Sequence, residues 1–298
     1  RPGVLDRLGL SYAALAEVNP RVILCSISGY GAEGPLRHRA GHDLNYIARS
    51  GVLGYGGEPS GAPAMPGVQI ADIGGALVAA VGILAAVNER ARTGKGRVVD
   101  VSMAEASLAF LHMHLGARLA LGAQGAPLRR GVEALNGGYP CYGVYRTKDG
   151  RYLSVAALEP KFWTAFCAAV ERPELADLGW AGGEEGARVR AEVAALVAGR
   201  SLEEWERFLE GRDLCCEPVR EGDELLTEPA LTARGAFAEA FDPLEQRTLR
   251  YLRTPLHLDG GPPVTPAPAL GQDTDAMLRE AGLGAAELDA LRADGIAR

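Results

Sequence analysis

Three side chains of types that can carry protons stand where helices open: His42, Asp72 and Glu159. His42 stands with Asp43 at the end of a glycine-rich stretch that carries Arg37, His38 and Arg39, and at the head of a helical segment. A histidine titrates near neutrality, which makes it the commonest general base. Taken alone, a histidine in such a place is more often a partly exposed loop side chain. Asp72 interrupts an otherwise apolar run, VQIADIGGALV. At the head of a helix, free amides and the macrodipole favour its charged form, while apolar surroundings oppose it. A plain N-cap aspartate is the simplest reading of such a residue. Glu159 precedes Pro160 where a strand gives way to a helix, and a cap is its simplest reading too.

Other chemical patterns fail on their spacing. Gly29-Tyr30-Gly31-Ala32-Glu33-Gly34 fits G-x-G-x-x-G, but Pro35 and a basic polar stretch follow where a dinucleotide-binding fold needs a helix to open. A closely packed glycine loop fits better. Thr93-Gly94-Lys95-Gly96 lacks the upstream glycine and the following Ser/Thr of a phosphate loop, and reads as a surface turn. His112 and His114 lie two apart on a helix, so they do not share a face and read as packing or solvated positions. His38 and His257 have no supporting pattern. The five cysteines are odd in number and make no CxxC pair. That suits reduced thiols in the cytoplasm better than disulfides or a zinc site, and no metal is expected. Cys215, in a mostly apolar run, reads as a buried structural thiol.

The elements that must hold these residues alternate in type. Leu5 to Val18 reads as an amphipathic helix and Val22 to Ser28 (VILCSIS) as a buried strand. A helix from His42 to Ser50, a Gly/Pro loop to Gly67, an Ala/Gly-rich helix from Asp72 to Arg92 and a strand at Val98 to Val101 follow. This alternation is the signature of a parallel α/β sheet. After a helix from Met103 to Leu121, residues 122–138 read as a glycine-rich linker or active-site loop. Strands at Tyr142 to Tyr145 and Tyr152 to Val155 flank a Lys148-Asp149-Gly150 turn. Pro160 opens a helix, and Ser201 with Glu204 forms a capping box. The expected plan is a large domain over residues 1–121, a linker over 122–138, a small α+β domain over 139–226 and a C-terminal segment over 227–298 ending in two short helices.

Composition narrows the partners. A net charge of −7 argues against a nucleic-acid binder, which needs a basic face. The longest uncharged run, Ile73 to Val87, is short for a bilayer and holds three glycines, so a buried helix is expected rather than a membrane span. The 39 glycines exceed the usual ~7% of residues and gather in the loops. The first residue is Arg1, which reads as a start inside the large domain.

Several segments together resemble one family. They are Arg1-Pro2-Gly3-Val4, Ser28-Gly29-Tyr30-Gly31, Gly41-His42-Asp43-Leu44-Asn45-Tyr46, Ala71-Asp72-Ile73-Gly74-Gly75 and Arg92-Thr93-Gly94-Lys95-Gly96. Further along come Tyr145-Arg146-Thr147-Lys148-Asp149-Gly150-Arg151-Tyr152, Leu158-Glu159-Pro160-Lys161-Phe162 and Leu270-Gly271-Gln272-Asp273-Thr274. In this order they resemble the α-methylacyl-CoA racemases of the family III CoA-transferase superfamily (CaiB/BaiF type). The Gly-His-Asp-x-Asn-Tyr segment points to racemase rather than transferase.

The resemblance implies an α/β fold: a Rossmann-like large domain with its N-terminal part missing, a smaller α+β domain, and a C-terminal segment returning to the large one. It implies an interlocked homodimer, with each active site between the large domain of one chain and the small domain of the other. His42 and Asp72 become acid/base residues on opposite sides of the substrate carbon. Glu159 pairs with the histidine. Arg1 and Arg7 contact the CoA nucleotide and phosphates, and Gly41, His42, Asp43, Leu44, Asn45 and Tyr46 line the thioester. Asn136-Gly137-Gly138 corresponds to a loop near the active site.

The implied reaction interconverts (R)- and (S)-2-methylacyl-CoA through a planar enolate, with no cofactor beyond the substrate's CoA. Each proton-transfer group contributes roughly 10²–10⁴-fold. Apolar surroundings are expected to raise the Asp72 pKa, and the N-terminal amides of its helix are expected to hold the enolate oxygen. The runner-up is a CoA transferase with Asp72 as nucleophile. A third reading is a truncated, non-catalytic CoA-binding or dimer-forming remnant.

Overall fold

The computed structural model describes residues 1–124, 127–256 and 263–297; His257 lies outside them. The chain forms two compact units, Arg1–Val219 and Arg220–Arg298.

The first unit opens with α1 (Val4–Arg7) and α2 (Tyr12–Val18), where the sequence suggests one helix. Gly9, at φ 74°, breaks it, and Ser11 Oγ restarts it by accepting the Ala14 amide at 3.2 Å. Next come β1 (Leu24–Ser28), α3 (Asp43–Ser50), α4 (Val52–Tyr55), α5 (Ile70–Thr93), β2 (Val98–Ser102), α6 (Met103–Leu108), a 3₁₀ turn (Ala109–Leu111) and α7 (His112–Leu121). Strands β1 and β2 pair in parallel, Leu24 opposite Val98 and Ser28 opposite Ser102. Parallel pairing requires a crossover, and the α3–α5 segment supplies it.

Helix α5 departs from expectation. One face is built for close approach: a Cβ on Gly75 would stand 2.7 Å from Met103 Cγ, and one on Gly82 2.7 Å from Val99 Cγ1. The opposite face carries Ile73, Leu77, Val81 and Leu84, all exposed. The expected buried helix is therefore covered on one side only in this chain. Its 24 residues, with mean hydropathy 2.2 over the most apolar window, are long and apolar enough to cross a membrane by length and composition. The 15-residue uncharged run understated its length because Ile70, Ala71 and the Asn88–Thr93 turns extend it.

The rest of the first unit surrounds an antiparallel sheet in the order β3 (Tyr142–Arg146), β4 (Tyr152–Ala156), β5 (Cys216–Pro218). Against it lie α8 (Pro160–Ala169), a 3₁₀ segment (Pro173–Leu178), α9 (Gly183–Val197) and α10 (Leu202–Leu209). Leu153 and Val155 meet Trp163, Phe166, Val189, Val193, Val197 and Trp205 in one buried cluster. Both indoles find acceptors there, Trp163 on Leu175 O at 2.8 Å and Trp205 on Val197 O at 2.9 Å, so their burial leaves no orphaned donor. This core fixes the β4–α8 junction that carries Glu159.

The second unit contains α11 (Pro229–Ala233), the antiparallel hairpin β6 (Phe237–Asp242) and β7 (Arg247–Leu252), then α12 (Thr274–Glu280) and α13 (Ala285–Ala293). The final helix pair matches expectation; the hairpin was not anticipated.

Candidate active site

Three side chains, Asp43, Asn45 and Tyr46, fix the geometry of the Gly41–Tyr46 segment. His42 is the N-cap residue of α3, with φ −128° and ψ 176°, and it is exposed. Its amide donates to Asn45 Oδ1 at 3.1 Å, while the Asn45 amide donates to His42 O at 2.8 Å. The backbone that carries the imidazole is thus locked to the first turn. Tyr46 is buried, and its hydroxyl donates to Gly41 O at 2.5 Å, closing the turn from below. Its ring meets Tyr30 edge-on, centroids 5.1 Å apart. Glycine is required beneath that ring: a Cβ on Gly41 would lie 2.8 Å from Tyr46 Cε1, and one on Gly29 2.6 Å from Tyr46 Cζ. The glycine-rich loop is therefore close packing, as the sequence suggested.

Asp43 turns away from its own helix. Its Oδ1 accepts the amides of Ala71 at 2.6 Å and Asp72 at 3.2 Å, the second and third residues of α5. The N-cap position of α5 belongs to Gln69, whose side chain makes no cap bond. Asp72 is thus not the cap of its helix; Asp43 supplies that function across 28 residues. Two expectations need correction. The Asp72 and Ala71 amides, expected to receive an enolate oxygen, already serve Asp43. Asp72 is also exposed, without the expected apolar enclosure, because the chain covers only the glycine face of α5.

Burial pushes the Tyr46 phenol up; the neighbouring Tyr30 and Asp72 add to this and Arg1 opposes it. Tyr46 is therefore a protonated donor, and the charges of Asp72 and Arg1 both reach it. Arg1 lines a cavity of about 650 Å³ together with Ser26, Ser28, Arg37, His38 and Asp100. Arg7 does not line it, and Leu44 is exposed.

Glu159 occupies the N-cap position of α8 without a side-chain cap bond, and it is exposed. Its backbone is held firmly. Its carbonyl accepts the Phe162 amide at 3.0 Å, and the Trp180 indole donates to Leu158 O at 3.0 Å. Cys215, at φ 50°, is half-buried rather than buried. Its thiol is pushed up by burial, then by Asp213 and Glu159, with Lys161 opposing. The structure brings His42, Asp43, Tyr46 and Asp72 together. Among the described residues no hydrogen bond or ion pair joins Glu159 to His42.

A second polar cluster escaped sequence reasoning. The Tyr55 hydroxyl meets His114 Nδ1 at 2.9 Å and donates to Glu133, whose Oε2 lies 3.3 Å from the same nitrogen. Glu133 also accepts the Arg129 amide at 2.7 Å, and Asn136 Oδ1 accepts the Glu133 amide at 2.7 Å. His114 is thus neither plain packing nor solvated; it helps pin the glycine-rich linker against α4 and α7. No local pattern marks three residues so far apart in sequence. Among the described residues, no three His, Cys, Asp or Glu side chains converge as metal ligands.

The model of CoA-transferase family III matches residues 1–274. Human alpha-methylacyl-CoA racemase is 33% identical over 306 residues, covering 99% of this chain and 76% of the relative. Human succinyl-CoA:glutarate CoA-transferase is 30% identical over 294 residues, covering 94% of this chain and 64% of the relative. Among solved structures, a CaiB/BaiF family protein from Brucella suis matches with a TM-score of 0.74 and 26% identity, over 93% of this chain and 72% of its own. The chain belongs to CoA-transferase family III and has the mixed α/β fold of its CaiB/BaiF structural neighbour.

Proposed function

We propose that this protein is a racemase of 2-methylacyl-CoA thioesters. The observation that carries the reading is the joint placement of His42 and Asp72 at two helix N-termini linked by Asp43. The 33% identity with the human racemase supports it. The thioester makes the C2 proton acidic. One residue removes that proton, the C–H electrons pass into the thioester as an enolate, and the other residue returns a proton to the opposite face. The substrate's CoA is the only cofactor required. In this reading Arg1 serves its nucleotide and phosphates from the cavity, Arg7 does so from outside that cavity, and the Gly41–Tyr46 segment lines its thioester.

The site is completed in an interlocked homodimer, in which Glu159 of the small sheet serves the histidine of the other chain. Two features favour this arrangement: Glu159 makes no bond to His42 within one chain, and the apolar face of α5 is uncovered. The β1–β2 region is then part of a Rossmann-like large domain, and the enzyme works in the cytoplasm on lipid-derived acyl chains.

The similarity to a CoA transferase and the exposure of Asp72 favour one alternative. There the Asp72 carboxylate attacks the acyl carbonyl, a C–O bond forms, and the C–S bond breaks to release CoA thiolate. Incubating one epimer of a 2-methylacyl-CoA in D₂O separates the readings. The racemase incorporates deuterium at C2 of the inverted epimer, and His42→Ala slows that inversion by about 100-fold or more. No incorporation by wild type, or unaffected inversion by His42→Ala, refutes the proposal.

A further inference from the structure

We infer that Asp43 is a positioning residue for proton transfer, a splint that fixes the helix carrying Asp72 to the turn carrying His42. The inference rests on the reading of His42 and Asp72 as the proton-transfer pair.

An ordinary helix cap is local: the side chain just before the helix receives the amides of its first turn. Helix α5 lacks one, since Gln69 makes no cap bond. Its second and third amides go instead to the Asp43 carboxylate, at 2.6 and 3.2 Å. Asp43 follows His42 directly, and Asn45 locks the His42 amide at 3.1 Å. One short chain of covalent and hydrogen bonds therefore runs from the imidazole-bearing backbone to the Asp72 backbone.

The surrounding packing cannot do this alone. Ala71 and Ile47 are fully buried together and set how close α3 and α5 lie. That contact is apolar and non-directional, and Ala71 has no side chain to key into a groove. Farther along, α5 presents Ile73, Leu77, Val81 and Leu84 to solvent in this chain. Within one chain that side adds nothing to hold the first turn, while the packed side sets α5 close to Met103 and Phe110 through Gly75 and Gly74 without supplying a directional bond. A carboxylate–amide bond is directional and roughly twice as strong as a neutral one. Racemisation needs two groups held on opposite faces of one carbon, and a 1 Å misplacement costs about 100-fold in rate.

The test compares Asp43→Ala with Asp43→Asn, which keeps an acceptor oxygen. Amide hydrogen exchange over residues 68–76 reads the splint without reference to activity. C2 deuterium incorporation reads its consequence. The expected result for Asp43→Ala is exchange at least tenfold faster in that peptide, kcat lower by about 100-fold, and KM within about threefold. Asp43→Asn should restore amide protection and bring kcat to within about tenfold of wild type, a recovery that mere loss of folding does not produce. Unchanged amide exchange in Asp43→Ala, or faster exchange with kcat within threefold of wild type, overturns the inference. So does an Asp43→Asn variant with protected amides and the kcat of Asp43→Ala, which assigns the effect to charge. If wild type incorporates no deuterium, the racemase reading falls, and the same two variants are compared in acyl transfer through Asp72. A fall in Asp43→Ala with recovery in Asp43→Asn then supports the splint, and equal rates overturn it.

Discussion

Adding one methyl group at Gly29 probes how the Tyr46 ring supports the site. A Cβ there would stand 2.6 Å from Tyr46 Cζ and 2.7 Å from its hydroxyl. Ordinary contact needs about 3.5 Å or more, so the ring must retreat by about 1 Å. Tyr46 is only 7% exposed and rests edge-on against Tyr30, so it has little room to do so. Overpacking of this kind costs about 1–3 kcal/mol. Drawing the hydroxyl away from Gly41 O adds about 1 kcal/mol. Gly29→Ala should therefore lose about 2–4 kcal/mol, a fall in Tm of about 4–16 °C for a unit of this size. Tyr46→Leu removes the obstructing ring edge and is destabilising by itself. In the double variant the two losses should overlap by about 1–2 kcal/mol, because the added methyl then meets open space. Urea unfolding of the four proteins measures this. Losses that add within about 0.5 kcal/mol, or a Gly29→Ala protein with wild-type Tm, would refute the packing argument.

Three further outcomes follow from the same geometry. Asp149 is held below the usual carboxylate range, first by the Thr147 hydroxyl and then by backbone amides including that of Leu202. A depressed folded-state value stabilises above the unfolded pKa of about 3.9 and is lost as pH falls through the folded value. Asp149→Asn should accordingly show a shallower loss of stability below about pH 4 in urea melts; identical slopes contradict this. Ser201 caps α10 by accepting the Glu204 amide at 3.2 Å, and Glu204 returns a bond to the Ser201 amide at 2.7 Å. Ser201→Ala should cost about 0.5–2 kcal/mol in the same melts. Burial pushes the Cys167 and Cys216 thiols up to about 12, and Cys141 is buried as well. At pH 8 a disulfide reagent should reach only Cys25 and Cys215 in the native protein and the other three after unfolding; rapid labelling of Cys167 would be inconsistent with that core.

Much of the local structure is legible in the residues themselves. The last five residues of VILCSIS become β1, although Ile27 is exposed and the expected buried strand is only half-buried; the Lys148-Asp149-Gly150 turn joins β3 to β4, and the Ser201/Glu204 box opens α10. Helix α9 went unread although Val189, Val193 and Val197 sit at helical spacing, because Gly182 at its N-cap offers no side chain to announce a start. The β6–β7 hairpin turns on Asp242, which accepts the amides of Leu244 and Glu245, rather than on an Asn-Gly or Asp-Gly pair. The site divides the same way. By type and setting alone His42, Asp72 and Glu159 read as a loop histidine and two cap carboxylates, and it is the family resemblance that singles them out. The Asp43 bond to α5 and the Tyr55–His114–Glu133 cluster join residues dozens of positions apart, and only folding brings them together. Asp72 is exposed within the single chain because an apolar sequence neighbourhood does not guarantee an apolar surrounding supplied by the same chain.

The central claim is that His42 and Asp72 invert the C2 centre of a bound thioester. One reaction mixture tests it: a single 2-methylacyl-CoA epimer, D₂O, a free carboxylic acid as acceptor, and later hydroxylamine. Deuterium should enter C2 of the inverted epimer, while CoA stays on its original acyl group and Asp72 yields no hydroxamate. Transfer of CoA to the added acid, with a trapped Asp72 adduct and no deuterium at C2, would contradict it.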